Sequence, residues 1–240
     1  IFCWYFANAR VENNTINNMS GGVAATSTLY GINLSYSMGV STVSNNTITL
    51  NNTSGEADWI RLYSYGYANA YPVRQVQVHN NTFAGTVGSA TASSMILFTI
   101  TASGLNASVR NNVTSGTITK TGVGGSLYGY NNSTNSNMTE HVAMNNFSNF
   151  TSSGSCIGIA SDCGANDTSY IDSNIISNLN STGATYYAYG IQSTNPSLGF
   201  VRDNTISNLS GNYVRGISFN LSNYATDAQI IRNRIHTLNS

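Results

Sequence analysis

The residues that could carry acid–base chemistry are few and scattered. Only 8% of the 240 residues are charged, with nine basic and nine acidic side chains. His79 and Arg110 form one candidate pair, because a histidine beside an arginine could polarise a uronate. No carboxylate accompanies them as acid or base. Asp172 and Asp203 are the best candidates for glycosidic hydrolysis, which generally needs two carboxylates about 5–10 Å apart. The elements that position these residues decide whether they can act.

Tyrosine gives the second chemical signal, with 15 residues in the chain. Tyr63, Tyr65, Tyr67 and Tyr71 crowd one segment, and residues 186–189 hold three more of them. Aromatic faces beside amides and hydroxyls suit the C–H faces and hydroxyl edges of sugar rings. Tyrosine is also an ordinary strand residue. We therefore keep both packing and a ligand-binding role for Tyr63, Tyr65, Tyr67, His79 and Arg110.

Composition argues against several classes of partner. The formal net charge is zero and Lys120 is the single lysine, so no basic field is predicted to gather nucleic acid or an anionic membrane surface. No apolar run is long enough for a transmembrane helix. We expect no cofactor and no metal, because 161–167 lacks the alternating acids of calcium loops. Cys156 and Cys163 could form a local disulfide or remain buried thiols.

One phrase, Val-x-x-Asn-x-Ile-x-x-Leu, recurs along the whole chain and positions these residues. Its asparagines lie 29 to 35 residues apart. The eight anchors are Asn14, Asn46, Asn81, Asn112, Asn145, Asn174, Asn204 and Asn233. A second phrase around a glycine, such as Tyr30-Gly31-Ile32, follows in most repeats, and Trp59–Leu62 and Met95–Phe98 replace it in two. Each repeat therefore predicts three short strands: one before the asparagine, one after it and one around the glycine.

Strand-length segments in phase predict a parallel β-solenoid, in which each coil lies about 4.8 Å above the last and like residues stack on like. We expect one buried column of Val11, Val43, Val78, Val109, Val142, Ile171, Val201 and Ile230. Each anchor asparagine should occupy a bend with left-handed backbone angles and donate its amide hydrogen bonds along the column.

With this asparagine-bend repeat, the sequence resembles the pectate-lyase-like superfamily of right-handed parallel β-helices over nearly its entire length. The resemblance implies an all-β, right-handed parallel β-helix of about eight coils. It is specific for the fold and weak for activity. The motifs of its polygalacturonase-like members are missing: Asn204-Thr205-Ile206 has isoleucine where Asn-Thr-Asp needs its acid.

The stacking also predicts ion pairs between coils, Asp172 with Arg202 and Asp203 with Arg232. We therefore interpret residues 1–240 as one β-helix segment of a longer solenoid. The expected protein is secreted or on the cell surface, adhesin-like or weakly glycan-binding, with a polysaccharide or cell-surface glycan as partner. The alternative is a polysaccharide lyase or glycoside hydrolase whose catalytic coils lie partly outside this segment.

Overall fold

The computed structural model describes residues 1–18, 26–63, 74–99, 104–133, 138–162, 164, 167–194, 196–221 and 227–240. These residues form 24 short strands in three sheets, and the three sheets are visited in turn along the chain. We call three consecutive strands, one from each sheet, a layer. All pairings between neighbouring strands are parallel, as they are in β1 with β4.

Sheet 1 carries the glycine phrase. Its strands are β1 (Phe2–Trp4), β4 (Leu29–Ser35), β7 (Ala57–Tyr63), β10 (Ser93–Thr99), β13 (Ser126–Asn132), β16 (Ser155–Asp162), β19 (Tyr187–Thr194) and β22 (Tyr213–Asn220).

Sheet 2 precedes the anchor asparagines. Its strands are β2 (Arg10–Glu12), β5 (Val40–Ser44), β8 (Gln75–His79), β11 (Leu105–Arg110), β14 (Met138–Ala143), β17 (Thr168–Asp172), β20 (Leu198–Arg202) and β23 (Asp227–Ile231).

Sheet 3 follows the anchors. Its strands are β3 (Thr15–Asn17), β6 (Thr47–Asn52), β9 (Thr82–Val87), β12 (Val113–Lys120), β15 (Asn146–Ser152), β18 (Ile175–Ser181), β21 (Thr205–Ser210) and β24 (Arg234–Asn239).

The predicted all-β solenoid with three strands per coil is confirmed, and it makes about seven turns. Its right-handedness stays a prediction. Trp59 and Met95 take the place of the glycine of other layers, since Ile60 pairs with Ile32 on one side and with Ile96 on the other. Side chains from the three sheets fill the interior between them, so the core runs the length of the stack.

The predicted core column is in register, with Val78 paired to Val43 on one side and Val109 on the other. Seven of its eight members are at most 5% exposed. Ile230 was expected to be buried and is 50% exposed. It lies in β23, the outermost strand of sheet 2 among the described residues, where it pairs with Val201 on one side.

The anchor asparagines form a continuous ladder at the bend between sheets 2 and 3. The amide nitrogen of Asn81 donates to Oδ1 of Asn112 at 2.9 Å and to the carbonyl oxygen of Val43 at 3.0 Å. Oδ1 of Asn81 accepts from both the backbone nitrogen and Nδ2 of Asn46. The same side-chain contact joins each anchor to the next from Asn14 to Asn233.

One expectation about this bend is wrong. The left-handed backbone angles belong to the residue before each anchor, not to the anchor itself. These residues, all with φ between 53° and 59°, are Asn13, Asn45, Asn80, Asn111, Met144, Ser173, Asp203 and Arg232. The turn needs one left-handed residue to change direction, and the anchor that follows points its amide inward to the ladder.

Candidate functional site

The three outer faces of the solenoid differ in chemistry. The outer face of sheet 1 carries a group of aromatic side chains. The outer face of sheet 2 carries histidines and two arginine–carboxylate ion pairs. Sheet 3, by contrast, exposes threonine, serine, asparagine and aliphatic side chains and has no outward charged residue from Thr15 to Ser210. Its one charged residue in that range, Lys120, is 1% exposed. Among the described residues, the charged and aromatic candidates are therefore on sheets 1 and 2.

A groove of about 620 Å³ crosses the first strands of sheet 1. The side chains that line it are mainly aromatic, with two small polar residues and one arginine. They are Ile1, Phe2, Trp4, Tyr30, Asn33, Ser35, Tyr36, Arg61 and Tyr63. Its volume lies within the range of small-molecule sites, about 300–1,000 Å³.

Stacked rings form one wall of this groove. The ring of Tyr36 is stacked on those of Trp4 and Tyr5, at centroid distances of 6.1 and 5.2 Å. Tyr63 meets Tyr36 edge to face at 5.6 Å. Trp4 remains 53% exposed, so its ring is available to a ligand.

Arg61 is fixed between two tyrosines of the groove. Its guanidinium lies 5.0 Å from the ring centre of Tyr30 and 4.5 Å from that of Tyr63. Nη1 of Arg61 donates to the hydroxyl of Tyr30 at 2.7 Å. These contacts orient the guanidinium before any ligand arrives, which lowers the entropy lost on binding.

Of the predicted tyrosines, the structure therefore places Tyr63 in an aromatic groove. Tyr65, Tyr67 and Tyr71 lie outside the described residues. The sequence did not indicate Trp4, Tyr36 or Arg61, because they lie in three successive coils and form no local cluster along the chain. The strand register could have indicated that these residues lie together, because Trp4 pairs with Ser35, which pairs with Tyr63.

The predicted pair His79 and Arg110 is adjacent, as expected, but on sheet 2 rather than beside Tyr63. Nε2 of His79 is 3.1 Å from the hydroxyl of Ser108. Burial and the charge of Arg110 together lower the pKa of His79. The two sets of predicted ligand-binding residues thus belong to separate faces.

Farther along sheet 2, rings from three layers form a stack. His141 stacks on Tyr170 at 4.5 Å, and Tyr170 on Phe200 at 4.9 Å. Arg202 lies over the last ring at 5.3 Å and pairs with Asp172 through two contacts of 3.0 and 3.1 Å.

Both predicted inter-coil ion pairs are confirmed. Asp203 receives two hydrogen bonds from Arg232, at 2.7 and 2.8 Å, which lower the pKa of its carboxyl group. The two carboxylates best placed for hydrolysis are therefore held by arginines. Exposed pairs of this kind add little to stability because water and salt screen them, so they fix register more than they stabilise the fold.

A second, smaller groove of about 220 Å³ lies on the later strands of sheet 1. Tyr128, Asn131, Gln192 and Thr194 are among its lining residues. The hydroxyl of Thr194 donates to Asp162 at 2.8 Å. The walls of this second groove are mainly polar, and Tyr128 is the one aromatic residue among those that line it.

The sequence reading missed a carboxylate inside the solenoid. Glu140 is fully buried and accepts hydrogen bonds from the hydroxyls of Tyr130 and Ser169, both at 2.6 Å. The amide of Asn132 donates to it at 2.8 Å, and the hydroxyl of Ser161 donates as well. Strand alternation could have found it, since Glu140 stands two residues before the inward Val142. Four donors make it a structural polar cluster.

Two further carboxyl groups have raised pKa values because of burial. Asp167 accepts from the backbone nitrogens of Met138 and Gly164, both at 2.6 Å, and its pKa is about 6. Burial raises the pKa of Asp58, which is 5% exposed, to about 7. Asp58 is in register with Tyr30 of the groove, and the charge of Arg61 partly offsets the rise in its pKa. Asp167 directly precedes β17, three layers further along the stack, so the two carboxyl groups form no acid–base pair with each other.

Lys120 was expected in a turn-rich stretch and instead ends β12 with its amine turned inward. Its Nζ donates to the carbonyl oxygens of Gly122, at 2.7 Å, and Gly124. Cys156 is a buried free thiol whose pKa burial raises to about 12. Cys163 lies outside the described residues.

Among the residues that the structure describes, no three His, Cys, Asp or Glu side chains are grouped to hold a metal ion. The same part of the chain contains no helix that could cross a bilayer. Comparison with protein families, curated proteins and solved structures finds no match. The fold and its asparagine ladder thus define the chain as a parallel β-solenoid.

Proposed function

We propose that the chain is a structural segment of a secreted or cell-surface protein, adhesin-like, that binds a glycan in the aromatic groove of sheet 1. The proposal includes a right-handed coil and membership of the pectate-lyase-like superfamily, which the asparagine ladder supports. A solenoid suits this role because its length grows by one layer per repeat and its outer faces remain free for ligands.

The groove carries the proposal. Trp4 and Tyr30 are exposed, so their rings offer flat apolar faces to the C–H groups of a sugar. Asn33 and Ser35 also line the groove, where the hydroxyl of Ser35 donates to Oδ1 of Asn33 at 2.8 Å, and Arg61 adds oriented donors. A few polar groups placed among apolar walls are typical of small-molecule sites.

The ion pairs favour a scaffold over an enzyme. Asp172 and Asp203, the candidate hydrolytic acids, are both occupied by arginine partners. We therefore keep the prediction that this segment does not itself cleave acidic polysaccharides. Incubation with uronate polymers, with and without calcium, tests it by reducing ends and by absorbance of unsaturated products. Turnover abolished by Asp172→Ala or Asp203→Ala would establish the enzyme instead.

The binding proposal is tested on a glycan array, followed by calorimetry with the glycans retained. Trp4→Ala and Tyr63→Ala should each weaken binding by about tenfold, since a lost stacking contact costs on the order of 1–2 kcal/mol. Tyr170→Ala removes an aromatic ring from sheet 2 and is the matched control, expected to leave affinity unchanged. If no glycan is retained, or if all three variants bind as the unaltered protein does, the groove is not a glycan site.

A further inference from the structure

Arg110 differs from three other arginines of sheet 2 and of the bend between sheets 2 and 3 in having no ion-pair partner among the described residues. Arg10, Arg202 and Arg232 each pair with a carboxylate at 2.7 to 3.0 Å. Arg110 makes no ion pair or hydrogen bond through its side chain in the part of the chain that the structure describes, and its Nε is buried without a partner. A partly buried guanidinium with unused donors is poised for an anion.

The register explains why no carboxylate of the chain reaches it. In its outward column, Arg110 has His79 on one side and Ala143 on the other. The alanine side chain is too short to contact the guanidinium. Asp172 follows one layer further on and already forms two hydrogen bonds with Arg202.

The strand register places three side chains that can donate hydrogen bonds near Arg110. His79 pairs with Arg110, Ser108 lies two residues before it on the same face, and His141 pairs with Ser108 in the next layer. Burial and then Arg110 lower the pKa of both His79 and His141, which favours the neutral form of each ring. A neutral imidazole can still donate one N–H to a bound anion.

We propose that Arg110, with His79, Ser108 and His141, forms a binding site for an oxyanion: the sulfate, phosphate or carboxylate group of a ligand. The site is on sheet 2 and does not depend on the aromatic groove of sheet 1. The guanidinium supplies the charge and the fork of donors, while the hydroxyl and the two imidazoles complete the shell around the oxygens.

The proposal has a definite pH dependence. The charged groups around the two histidines are Arg110, Arg202 and Asp172 on the outer face and Glu140 on the inner face. As pH falls from 7 through the lowered pKa values of His79 and His141, each ring gains a positive charge. Anion affinity should therefore rise as the solution is acidified.

Titration of the whole chain with sodium sulfate, phosphate and acetate, followed by NMR of the arginine Nε and histidine ring signals at constant ionic strength, tests the site. We expect saturable shifts at Arg110, His79 and His141, and the anion with the tightest binding identifies the class of ligand group. Arg110→Gln should weaken that binding by about tenfold or more, because hydrogen bonds to charged groups are the strong ones.

Arg10→Gln is the matched control, since it removes one positive charge from the same face and should change the affinity less than about twofold. If Arg110→Gln fails to fold, His141→Asn replaces it and should reduce the gain in affinity at acidic pH, because only His79 then becomes charged. Shifts that do not saturate, equal effects of the two arginine variants, or affinity that does not rise on acidification would each overturn the proposal.

Discussion

Two columns of asparagine run along this solenoid. In both, the side-chain amide of one asparagine donates to the side-chain oxygen of another one layer away, but the surroundings of the two columns differ. In the bend ladder, Asn81 and its neighbours are buried, and each Nδ2 donates to the next Oδ1 at about 2.9 Å. On the outer surface of sheet 3, Asn208 donates to Asn178 at 3.0 Å, and Asn178 to Asn149 at 2.8 Å, all in left-handed conformations.

The difference lies in what else depends on each amide. In the bend ladder, each buried side chain from Asn46 to Asn204 also binds a backbone nitrogen and a backbone carbonyl, as Asn81 does with Asn46 and Val43. In the surface column, the amides are exposed and water can replace either contact. Burial, rather than the repeated hydrogen bond itself, should therefore make the bend ladder essential to the fold.

The largest effects are expected at Asn81, and the first variant to test is Asn81→Ala. This change removes the acceptor of the backbone nitrogen of Asn46 and one of the two acceptors of its side-chain amide, which still donates to Val11. It also removes the Asn81 donor to the carbonyl oxygen of Val43. We predict a loss of about 1–3 kcal/mol in the free energy of unfolding, because the orphaned groups are buried. Urea titration followed by circular dichroism measures it, and a loss well below that range would count against the ladder.

Asn81→Asp sharpens the same comparison, because it keeps the shape but removes both amide donors and introduces a buried charge. It should destabilise more than the alanine variant at pH 7, and the deficit should shrink in acid as the new carboxyl group is protonated. Equal losses at both pH values would mean that water reaches the bend.

A smaller effect is expected from Asn178→Gly in the surface column. Glycine keeps the left-handed backbone without strain, so the substitution tests the side-chain hydrogen bonds alone. The free energy of unfolding should fall by less than about 1 kcal/mol in the same titration. A loss as large as that of Asn81→Ala would erase the distinction between the two columns.

The smallest effect is predicted for the position before the anchor, and it is a gain. Met144 adopts φ of 56° and is 48% exposed, where four other layers have asparagine. Met144→Asn should stabilise the chain by about 0.5–1 kcal/mol, because asparagine tolerates left-handed angles better than methionine does. The reverse change in the preceding layer, Asn111→Met, should cost a similar amount. If neither substitution changes the free energy of unfolding, the turn has no preference for asparagine over methionine at this position.

The repeat predicted the stacking but not the conformation of the bend. Aligned asparagines correctly identified the ladder, the valine column and the two inter-coil ion pairs. The same alignment assigned left-handed angles to the anchor, although Asn13, Asn45, Asn80 and Asn111 before it are asparagines too. Two adjacent residues of the same type hide which one turns the chain, and only the backbone geometry separates them.

Contacts along the stack were thus determined by the sequence itself, because a fixed repeat puts like residues in register one layer apart. Contacts across the stack were decided by the tertiary structure. The described donors to Glu140 come from sheets 1 and 2, which meet across the interior of the solenoid. Such contacts depend on turns of unequal length, which set where each strand enters its sheet. They also depend on the alternation of inward and outward side chains, which decides whether a charge is buried or exposed.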